Sequence, residues 1–152
     1  MHDDAIYIRP GTEADVQAVF HIRTSVKENH LSLEQMASMG ITPNVIREAI
    51  AAETCAWLAE ADGKAVGFAM VNAGEGCVFA AFVLPEWHGY GLGRRLMAEA
   101  ESCLFRQHET IWLETDGRSR ASEFYAHLGW MPAATYENGD VRFEKKRPRP
   151  GE

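Results

Sequence analysis

The segment from Val78 to Phe105 constrains the fold of this 152-residue chain more than any other feature. It predicts a strand at Val78–Val83, a turn at Pro85–Gly91 and a helix from Gly91 to about Gln107. The helix is predicted because apolar residues three and four positions apart share one face of a 3.6-residue period. These residues are Leu92, Leu96, Ala100, Cys103 and Leu104. The segment therefore predicts a helix with one buried face and one solvated face.

Three glycines, Gly89, Gly91 and Gly93, lie at the N-terminal end of this helix. Because glycine has no side chain, backbone N–H groups can approach a ligand closely there, and the positive end of the helix dipole favours an anion. The turn is therefore a candidate diphosphate site, and a side chain at Gly91 or Gly93 would occupy the space of that group. An ordinary tight turn into a helix explains the glycines equally well on this fragment alone.

Two common phosphate-binding patterns do not match this turn. A Walker A loop requires Gly-Lys-Ser/Thr at the start of the helix, whereas Gly93 is followed by Arg94 and Arg95. The dinucleotide pattern G-x-G-x-x-G/A requires a small residue at position 94 or 96, and the chain has Arg94 and Leu96 there. A kinase-like NTPase is therefore disfavoured, and the dinucleotide pattern is not met.

The segment from His88 to Gly93, His-Gly-Tyr-Gly-Leu-Gly, is similar to the Q/R-x-x-G-x-G/A motif of the Gcn5-related N-acetyltransferase (GNAT) family, with His88 in place of Gln or Arg. The segment from Arg118 to Trp130 resembles a second family motif, N-x-x-A-x-x-F-Y-x-x-L-G-F. Arg118 replaces the Asn of that motif and Trp130 replaces its last Phe. Two matches at the correct separation are far more specific than either one alone.

The order of predicted elements also resembles this family over nearly the whole chain. Besides the segment above, strands are predicted at Ala5–Arg9, Thr54–Ala61, Lys64–Asn72, Ile111–Thr115, Trp130–Tyr136 and Val141–Lys145. Helices are predicted from Thr12 to about Lys27 and at Leu33–Met39, Pro43–Glu53 and Ser119–Leu128. The expected fold class is α/β (α+β, with a mixed sheet), a GNAT-like acyl-CoA N-acyltransferase fold. Residues 1–147 would form one domain and residues 148–152 a short tail.

In that fold a mostly antiparallel sheet, flanked by helices, contains one parallel pair, here the strands at 78–83 and 111–115. The resemblance implies that the acetyl group of acetyl-CoA, the cosubstrate, passes to a primary amine by direct attack. It implies that Phe82 and Val83 pair with the pantetheine arm and that the Val83 N–H stabilises the thioester oxyanion. The remaining cofactor contacts expected are His88, Gly89, Tyr90, Gly91, Leu92, Gly93, Arg94, Arg118, Ala121 and Phe124.

Tyr125 matches the family tyrosine that donates a proton to the leaving sulfur or hydrogen-bonds it. A thiol pKa of about 8.5 and a phenol pKa of about 10 are close enough for such an exchange. The general base is less defined, because the strand at 78–83 contains no Asp or Glu. Glu114 is the leading candidate, with Glu28, His30 and Asp116 as alternatives acting directly or through water. An ordinary surface position explains each of these four residues as well.

The sequence leaves the acceptor open among a small amine, an amino acid, an antibiotic and a protein. The resemblance places the acceptor cleft beside the segment 28–32 and the hairpin turn at 138–139. The substrate contacts expected are Glu28, Asn29, His30 and Phe79. Trp57 and Trp112 could join Glu28 and Phe79 in a pocket for an ammonium group, although core packing also explains the aromatic residues.

Composition argues against several other partners. A net charge of −7 disfavours a nucleic-acid-binding protein, and it suits a cationic amine or simply solubility. A cytoplasmic protein without a membrane partner is predicted, because the chain has no apolar run of membrane-spanning length and no secretory signal at its N-terminus. Cys55, Cys77 and Cys103 indicate buried apolar positions rather than a disulfide, a metal site or a nucleophile. A homodimer is left open.

A function from another class remains as an alternative. The chain could be a non-catalytic acyl-CoA-binding sensor or regulatory module in a protein complex, which the replacements at His88 and Arg118 favour slightly. Tyr125 favours the enzyme, because a module that only binds CoA does not need an acid beside the sulfur.

Overall fold

A computed structural model describes residues 6–26 and 31–149. The strands are β1 (Ile6–Pro10), β2 (Ala56–Ala61), β3 (Lys64–Asn72), β4 (Cys77–Val83), β5 (Thr110–Asp116), β6 (Met131–Thr135) and β7 (Asp140–Lys146). The helices are α1 (Val16–Ser25), α2 (Leu33–Ser38), α3 (Pro43–Ala52), α4 (Leu92–Phe105) and α5 (Arg120–His127). Short 3₁₀ turns lie at Glu13–Asp15 and Pro85–Trp87. Within the two described ranges, every helix is too short or too polar to cross a bilayer.

The strands form one seven-stranded sheet in the order β1-β2-β3-β4-β5-β7-β6. The β4–β5 pair is parallel and the neighbouring pairs are antiparallel, so the predicted fold class is confirmed. Most predicted ends agree with the observed ones within one or two residues, which is the ordinary uncertainty of an element end. The largest difference is at the first helix, whose first turn is 3₁₀ and precedes Val16. The predicted end of that helix, Lys27, lies outside the described residues.

β4 and β5 separate soon after they pair. Within the described residues their register contains the single pair Cys77↔Trp112. On the other side of β4, a register shift between Met70 and Val71 leaves Phe79 without a partner on β3. An extra residue of this kind bends and twists its strand, which is a physical reason for β4 to diverge from β5. A gap therefore opens between the two strands toward the C-terminal end of β4.

The buried face of α4 covers the sheet largely as its spacing predicts. Leu92, Leu96, Ala100 and Leu104 are all almost fully buried, whereas the predicted fifth member, Cys103, is only half-buried. Met97 takes that place in the core. Burial of four apolar side chains along one helix face stabilises the packing of α4, at about 1.5–3 kcal/mol for each large aliphatic group.

An ion-pair cluster fixes the start of α1 against the edge of the sheet. Arg9 on β1 donates hydrogen bonds to both carboxylate oxygens of Asp15, each at 2.8 Å, and to Glu60 on β2 at 2.9 Å. The backbone N–H of Thr12 also donates to Asp15, in the capping box that precedes α1. The hydrogen bonds from Arg9 are the largest cause that lowers the pKa of Asp15 from 3.8 to about 2.

We expect Asp15→Asn to destabilise the protein by about 2 kcal/mol at neutral pH, since each pKa unit corresponds to about 1.4 kcal/mol. A depressed carboxyl pKa contributes stability above 3.8, its unfolded value, and loses it as the pH falls through about 2. Urea unfolding of wild type and variant from pH 7 to pH 2 should therefore show a difference that narrows in acid. The exposed Glu13→Gln is the control, and parallel pH profiles for wild type and Asp15→Asn would contradict this role.

Candidate active site

An open cleft of about 1040 Å³ lies where β4 and β5 diverge, and it extends to the last turn of α1, the glycine turn and α5. Most of the site residues predicted from the sequence line it. They are Phe79, Phe82, Val83, His88, Gly89, Gly91, Leu92, Gly93, Arg94, Glu114, Ala121, Phe124 and Tyr125. The exposed Tyr90 side chain packs on Trp87 instead, with ring centroids 5.2 Å apart. Glu28, Asn29 and His30 lie outside the described residues.

Backbone N–H and C=O groups at the end of β4 point into the gap between β4 and β5. The N–H of Leu84 donates to the carbonyl of Val66 beside β3, at 2.8 Å. Because backbone groups of successive strand residues point to opposite sides, the N–H and C=O of Val83 point away from β3. They face the side where β5 has diverged. The Val83 N–H is therefore available to a ligand in the gap, as the sequence-based prediction requires.

His88 connects the glycine turn to this strand end. Its Nε2–H donates to the carbonyl oxygen of Val83 at 3.0 Å, since a carbonyl can only accept. The sequence analysis expected this side chain among the cofactor contacts of the motif. In the structure its ring also holds the last peptide of β4 and satisfies the carbonyl that points into the gap.

The N-terminal turn of α4 has the properties of an anion site. Gly89 and Gly91 have φ values of 88° and 76°, and a Cβ at either position would have nothing within 4 Å. The first intrahelical bond runs from Arg95 N–H to the Gly91 carbonyl, so three preceding N–H groups lack helical partners. Arg94 and Arg95 are exposed in this turn, which contains no acidic residue. Cations are unfavourable at the positive end of a helix unless an anion binds there.

Gly93 has a different role from its two neighbours. A Cβ at this position would lie 3.1 Å from Cζ of Phe124 on α5, and not in open space. The missing side chain therefore allows α4 and α5 to pack closely, which differs from the expectation that a side chain at Gly93 would enter the diphosphate space. This packing positions Phe124, whose ring lies 5.3 Å from that of Tyr125.

Tyr125 lines the cleft and is held by aromatic packing. The residue is 7% exposed, and its ring lies 6.2 Å from Trp130 and 6.3 Å from Phe143. Among the described residues the hydroxyl has no hydrogen-bond partner. Burial raises the pKa of Tyr125 to about 12, so the phenol keeps its proton throughout the neutral range.

This pKa changes the chemistry expected of Tyr125. Burial makes this phenol a weaker acid than a phenol in water, so complete proton transfer to a thiolate in water is less favourable than the ordinary phenol pKa of about 10 suggests. A buried O–H without a partner is instead suited to donate a strong hydrogen bond to a developing thiolate.

Glu114, the predicted base, faces the cleft from β5 and has a partner that the sequence analysis missed. The hydroxyl of Tyr136, beyond β6, donates to Oε2 of Glu114 at 2.7 Å, and this bond is the largest cause that raises the pKa of Tyr136. The alternative base Asp116 is engaged in its own loop. It accepts the backbone N–H of Arg118 at 2.9 Å and lies 3.6 Å from the same guanidinium. Glu114 is thus the freer of the two carboxylates.

Other predicted contacts lie away from the cleft or in the core. Trp57 is buried in the core, and Trp112 stacks under the Arg142 guanidinium at 4.3 Å. Of the proposed aromatic pocket, Phe79 lines the cleft and is 49% exposed. The Arg118 side chain is exposed and lies beside Gly139 in the β6–β7 turn.

The cysteines have no activated thiol. Burial is the largest cause that raises the pKa of Cys55, Cys77 and Cys103 above the ordinary value of 9.0. A raised thiol pKa lowers the thiolate fraction, which is the opposite of what a nucleophile needs. None of the three thiols therefore has the property that nucleophilic catalysis by cysteine requires.

Arg23 lines the cleft from α1, and the sequence analysis did not assign it to the site. A signal was nevertheless present, because Arg23 follows Val16, Val19 and Phe20 at helical spacing on the buried face. A charge at a core position of an amphipathic helix is unusual.

A splayed parallel pair, a glycine-rich helix start and a buried tyrosine are the features that the resemblance to acyl-CoA-dependent acyltransferases implies. The family model described as "Acetyltransferase (GNAT) domain" matches residues 52–132, more than half of the chain. The chain belongs to the GNAT acetyltransferase family. The family and enzyme class predicted from the sequence are thereby confirmed.

Solved structures with the same fold cover nearly the whole chain. PaiA N-acetyltransferase from Thermoplasma acidophilum, in complex with coenzyme A, is 18% identical, with a TM-score of 0.75 and coverage of 94% of this chain and 99% of that one. The ribosomal-protein-S18-alanine N-acetyltransferase from Escherichia coli is 20% identical, with a TM-score of 0.72 and 97% coverage of both chains.

A third structure contains the cosubstrate expected here. YncA, a putative acetyltransferase from Salmonella typhimurium with its cofactor acetyl-CoA, is 18% identical, with a TM-score of 0.74 and 97% coverage of both chains. At these identities the likeness concerns the fold. A comparison with curated protein sequences found no significant match.

Proposed function

We propose that this protein transfers an acetyl group from acetyl-CoA to a primary amine by direct attack. The observation that carries the proposal is that Tyr125, whose hydroxyl has no hydrogen-bond partner among the described residues, lines the same cleft as Val83, whose N–H points into the gap. A hydrogen-bond donor without a protein partner, beside a strand end that can bind an extended ligand, suits a reaction that expels a thiolate.

The proposed position of the cosubstrate follows from the polar groups of the cleft. The diphosphate binds the N–H groups at the start of α4, with Gly89 and Gly91 leaving room for it and Arg94 supplying charge. The pantetheine arm lies along Phe82 and Val83 in the gap between β4 and β5. When bound there, acetyl-CoA supplies the activated acyl group.

The proposed chemistry assigns one task to each residue. Val83 N–H donates to the carbonyl oxygen as the amine nitrogen forms the new C–N bond, and Tyr125 hydrogen-bonds the sulfur as the C–S bond breaks. Glu114, directly or through water, accepts the proton that the nitrogen must lose. Tyr136 orients the Glu114 carboxylate through the 2.7 Å hydrogen bond.

A non-catalytic acyl-CoA-binding module remains the alternative, and Tyr125 argues against it. Binding through the diphosphate and pantetheine does not require a buried phenol beside the sulfur. The cytoplasmic location and the homodimer considered from the sequence stay predictions.

Incubation with acetyl-CoA and a panel of primary amines tests the proposal. The panel includes alkylamines, amino acids, aminoglycosides and peptides with free N-termini, and thiol release and product mass are measured. We expect at least one amine to raise thiol release about tenfold or more over amine-free hydrolysis, with one acetyl group added. The matched tertiary amine, which has no N–H to lose, should give no amide. Tight CoA binding without acetylation of any amine would favour the binding module.

A further inference from the structure

Arg23 carries a buried charge without a partner in the described part of the chain. The residue is 9% exposed, and its Nη1 is fully buried with no hydrogen-bond partner. Its guanidinium carbon lies 4.3 Å from the centroid of the Phe82 ring on β4. A ring face attracts the cation but cannot accept the N–H groups in the guanidinium plane. By contrast, the guanidinium of Arg9 donates to two carboxylates.

This arrangement is costly for the folded protein alone. A buried N–H of a charged group that lacks a hydrogen-bond partner costs free energy, and a leucine or methionine would suit this apolar helix face better. Burial lowers the pKa of Arg23, and no acidic group within residues 6–26 and 31–149 offsets that effect. A costly charge that lines a cleft is explained by a ligand that completes it.

Arg23 and the diphosphate site lie on opposite faces of the sheet. The Val83 side chain faces α4, because Val83 Cγ2 and a Leu96 methyl group would both contact a Cβ at Gly67. Adjacent strand residues point to opposite faces, so the Phe82 ring points away from α4, toward Arg23 on α1. The diphosphate proposed at α4 is therefore not positioned to pair with Arg23, which leaves the second substrate as a source of an anion.

We infer that Arg23 binds the carboxylate of the acetyl acceptor, and that the acceptor is a small amino acid rather than a simple amine. This inference rests on the proposed function. A planar guanidinium matches a carboxylate in shape and in charge. A phosphate group carries a charge of up to about −2 and would need further hydrogen-bond donors. The guanidinium contacts the side chain of Phe82, the residue before Val83. The carboxylate and the reacting nitrogen are therefore separated by a short chain.

Wild-type protein provides the first test, through matched pairs of acceptors. Glycine, β-alanine, γ-aminobutyrate and longer ω-amino acids are each compared with the corresponding primary amide, which retains the amine and loses the anion. We expect kcat/KM for the best acid to exceed that of its amide by about 10- to 150-fold, the range of a hydrogen bond to a charged group. Equal values for acid and amide in every pair would overturn the inference while leaving the acetyltransferase activity intact.

Variants at position 23 provide the second test. Arg23→Met keeps an unbranched, flexible side chain and removes the charge, so the ratio of kcat/KM for an acid to that for its amide should fall from about 10- to 150-fold to about one. Arg23→Lys keeps the charge but loses the planar fork, and an intermediate preference is expected. Arg47→Met on the exposed face of α3 is the matched control and should behave as wild type. A preference that survives in Arg23→Met would overturn the inference.

Thermal unfolding tests the site without turnover. Removing an uncompensated buried charge should raise the melting temperature of Arg23→Met above that of wild type. In the presence of CoA, the preferred amino acid should stabilise wild type and have no effect on the variant. If no amine is acetylated, the proposed function fails. Thermal unfolding with each amino acid of the acceptor series still decides whether Arg23 binds a carboxylate. If Arg23→Met does not fold, the wild-type acid and amide pairs and Arg23→Lys decide the question. Acetylation of peptide N-termini with no dependence on Arg23 would also contradict the inference.

Discussion

Tyr125→Phe is expected to lower turnover by about 10²- to 10⁴-fold, the usual contribution of a positioned acid or hydrogen-bond donor. The substitution removes the hydroxyl and keeps the ring that packs on Phe124, Trp130 and Phe143. Acetyl-CoA affinity should hardly change, since the hydrogen bond strengthens only as negative charge develops on the sulfur. The largest effect is therefore expected in kcat and not in binding.

The pH dependence adds a second criterion. Burial raises the pKa of Tyr125 to about 12, so the phenol remains protonated in ordinary assay buffers. The ratio of wild-type to variant turnover should consequently stay constant between about pH 6 and pH 9. The comparison uses an accepted amine and CoA affinity from calorimetry, with the exposed Tyr7→Phe as control. Turnover of Tyr125→Phe within about threefold of wild type, far below the loss expected for such a donor, would make Tyr125 a packing residue.

Gly91→Val is expected to weaken CoA binding by about 100-fold or more, because loss of two charge-assisted hydrogen bonds corresponds to several kcal/mol. The branched side chain would enter the open space in front of the α4 N–H groups, where the proposed diphosphate lies. Gly93 is less informative, since a side chain there would first contact Phe124.

Backbone strain at position 91 needs its own control. Gly91 has a φ of 76°, which a valine adopts only at a cost, so part of any effect could come from the fold. Gly63 in the β2–β3 turn has a φ of 80° and equally open surroundings. Gly63→Val therefore reproduces the strain away from the cleft. Calorimetric titration of CoA into both folded variants is decisive, and equal affinities would remove the diphosphate from the α4 turn.

Local patterns in the sequence were sufficient for most of the fold. The apolar spacing from Leu92 to Leu104 predicts α4, and Asp15 three residues after Thr12 predicts the cap before α1. Both patterns are local because a helix face and its cap involve residues that are three or four positions apart. The motif from His88 to Gly93 likewise indicated the anion-binding turn, since its geometry depends on adjacent backbone torsions.

Contacts between distant segments could not be derived in this way. Gly93 serves the packing of Phe124, 31 positions along the chain, and Tyr136 reaches Glu114 only because β6 and β7 return beside β5. The divergence of β4 from β5 is explained by the extra residue at Phe79. This extra residue can be recognised only from the pairing of β4 with β3. Each of these features depends on which strands become neighbours, and that is a property of the assembled sheet.

Arg23 illustrates most directly the difference between what the sequence determines and what the tertiary structure determines. The sequence by itself determined that position 23 lies on the buried face of α1, because Val16, Val19 and Phe20 share that face. It also determined the family, which two contiguous motifs carry, and it predicted that the turn before α4 binds an anion. Whether the Arg23 charge is paired depends on every element packed against it. The tertiary structure alone shows that Arg23 Nη1 is buried and has no hydrogen-bond partner among the described residues. The pKa of Tyr125 was likewise decided by burial among the rings of Phe124, Trp130 and Phe143, because desolvation depends on the whole surroundings of a group.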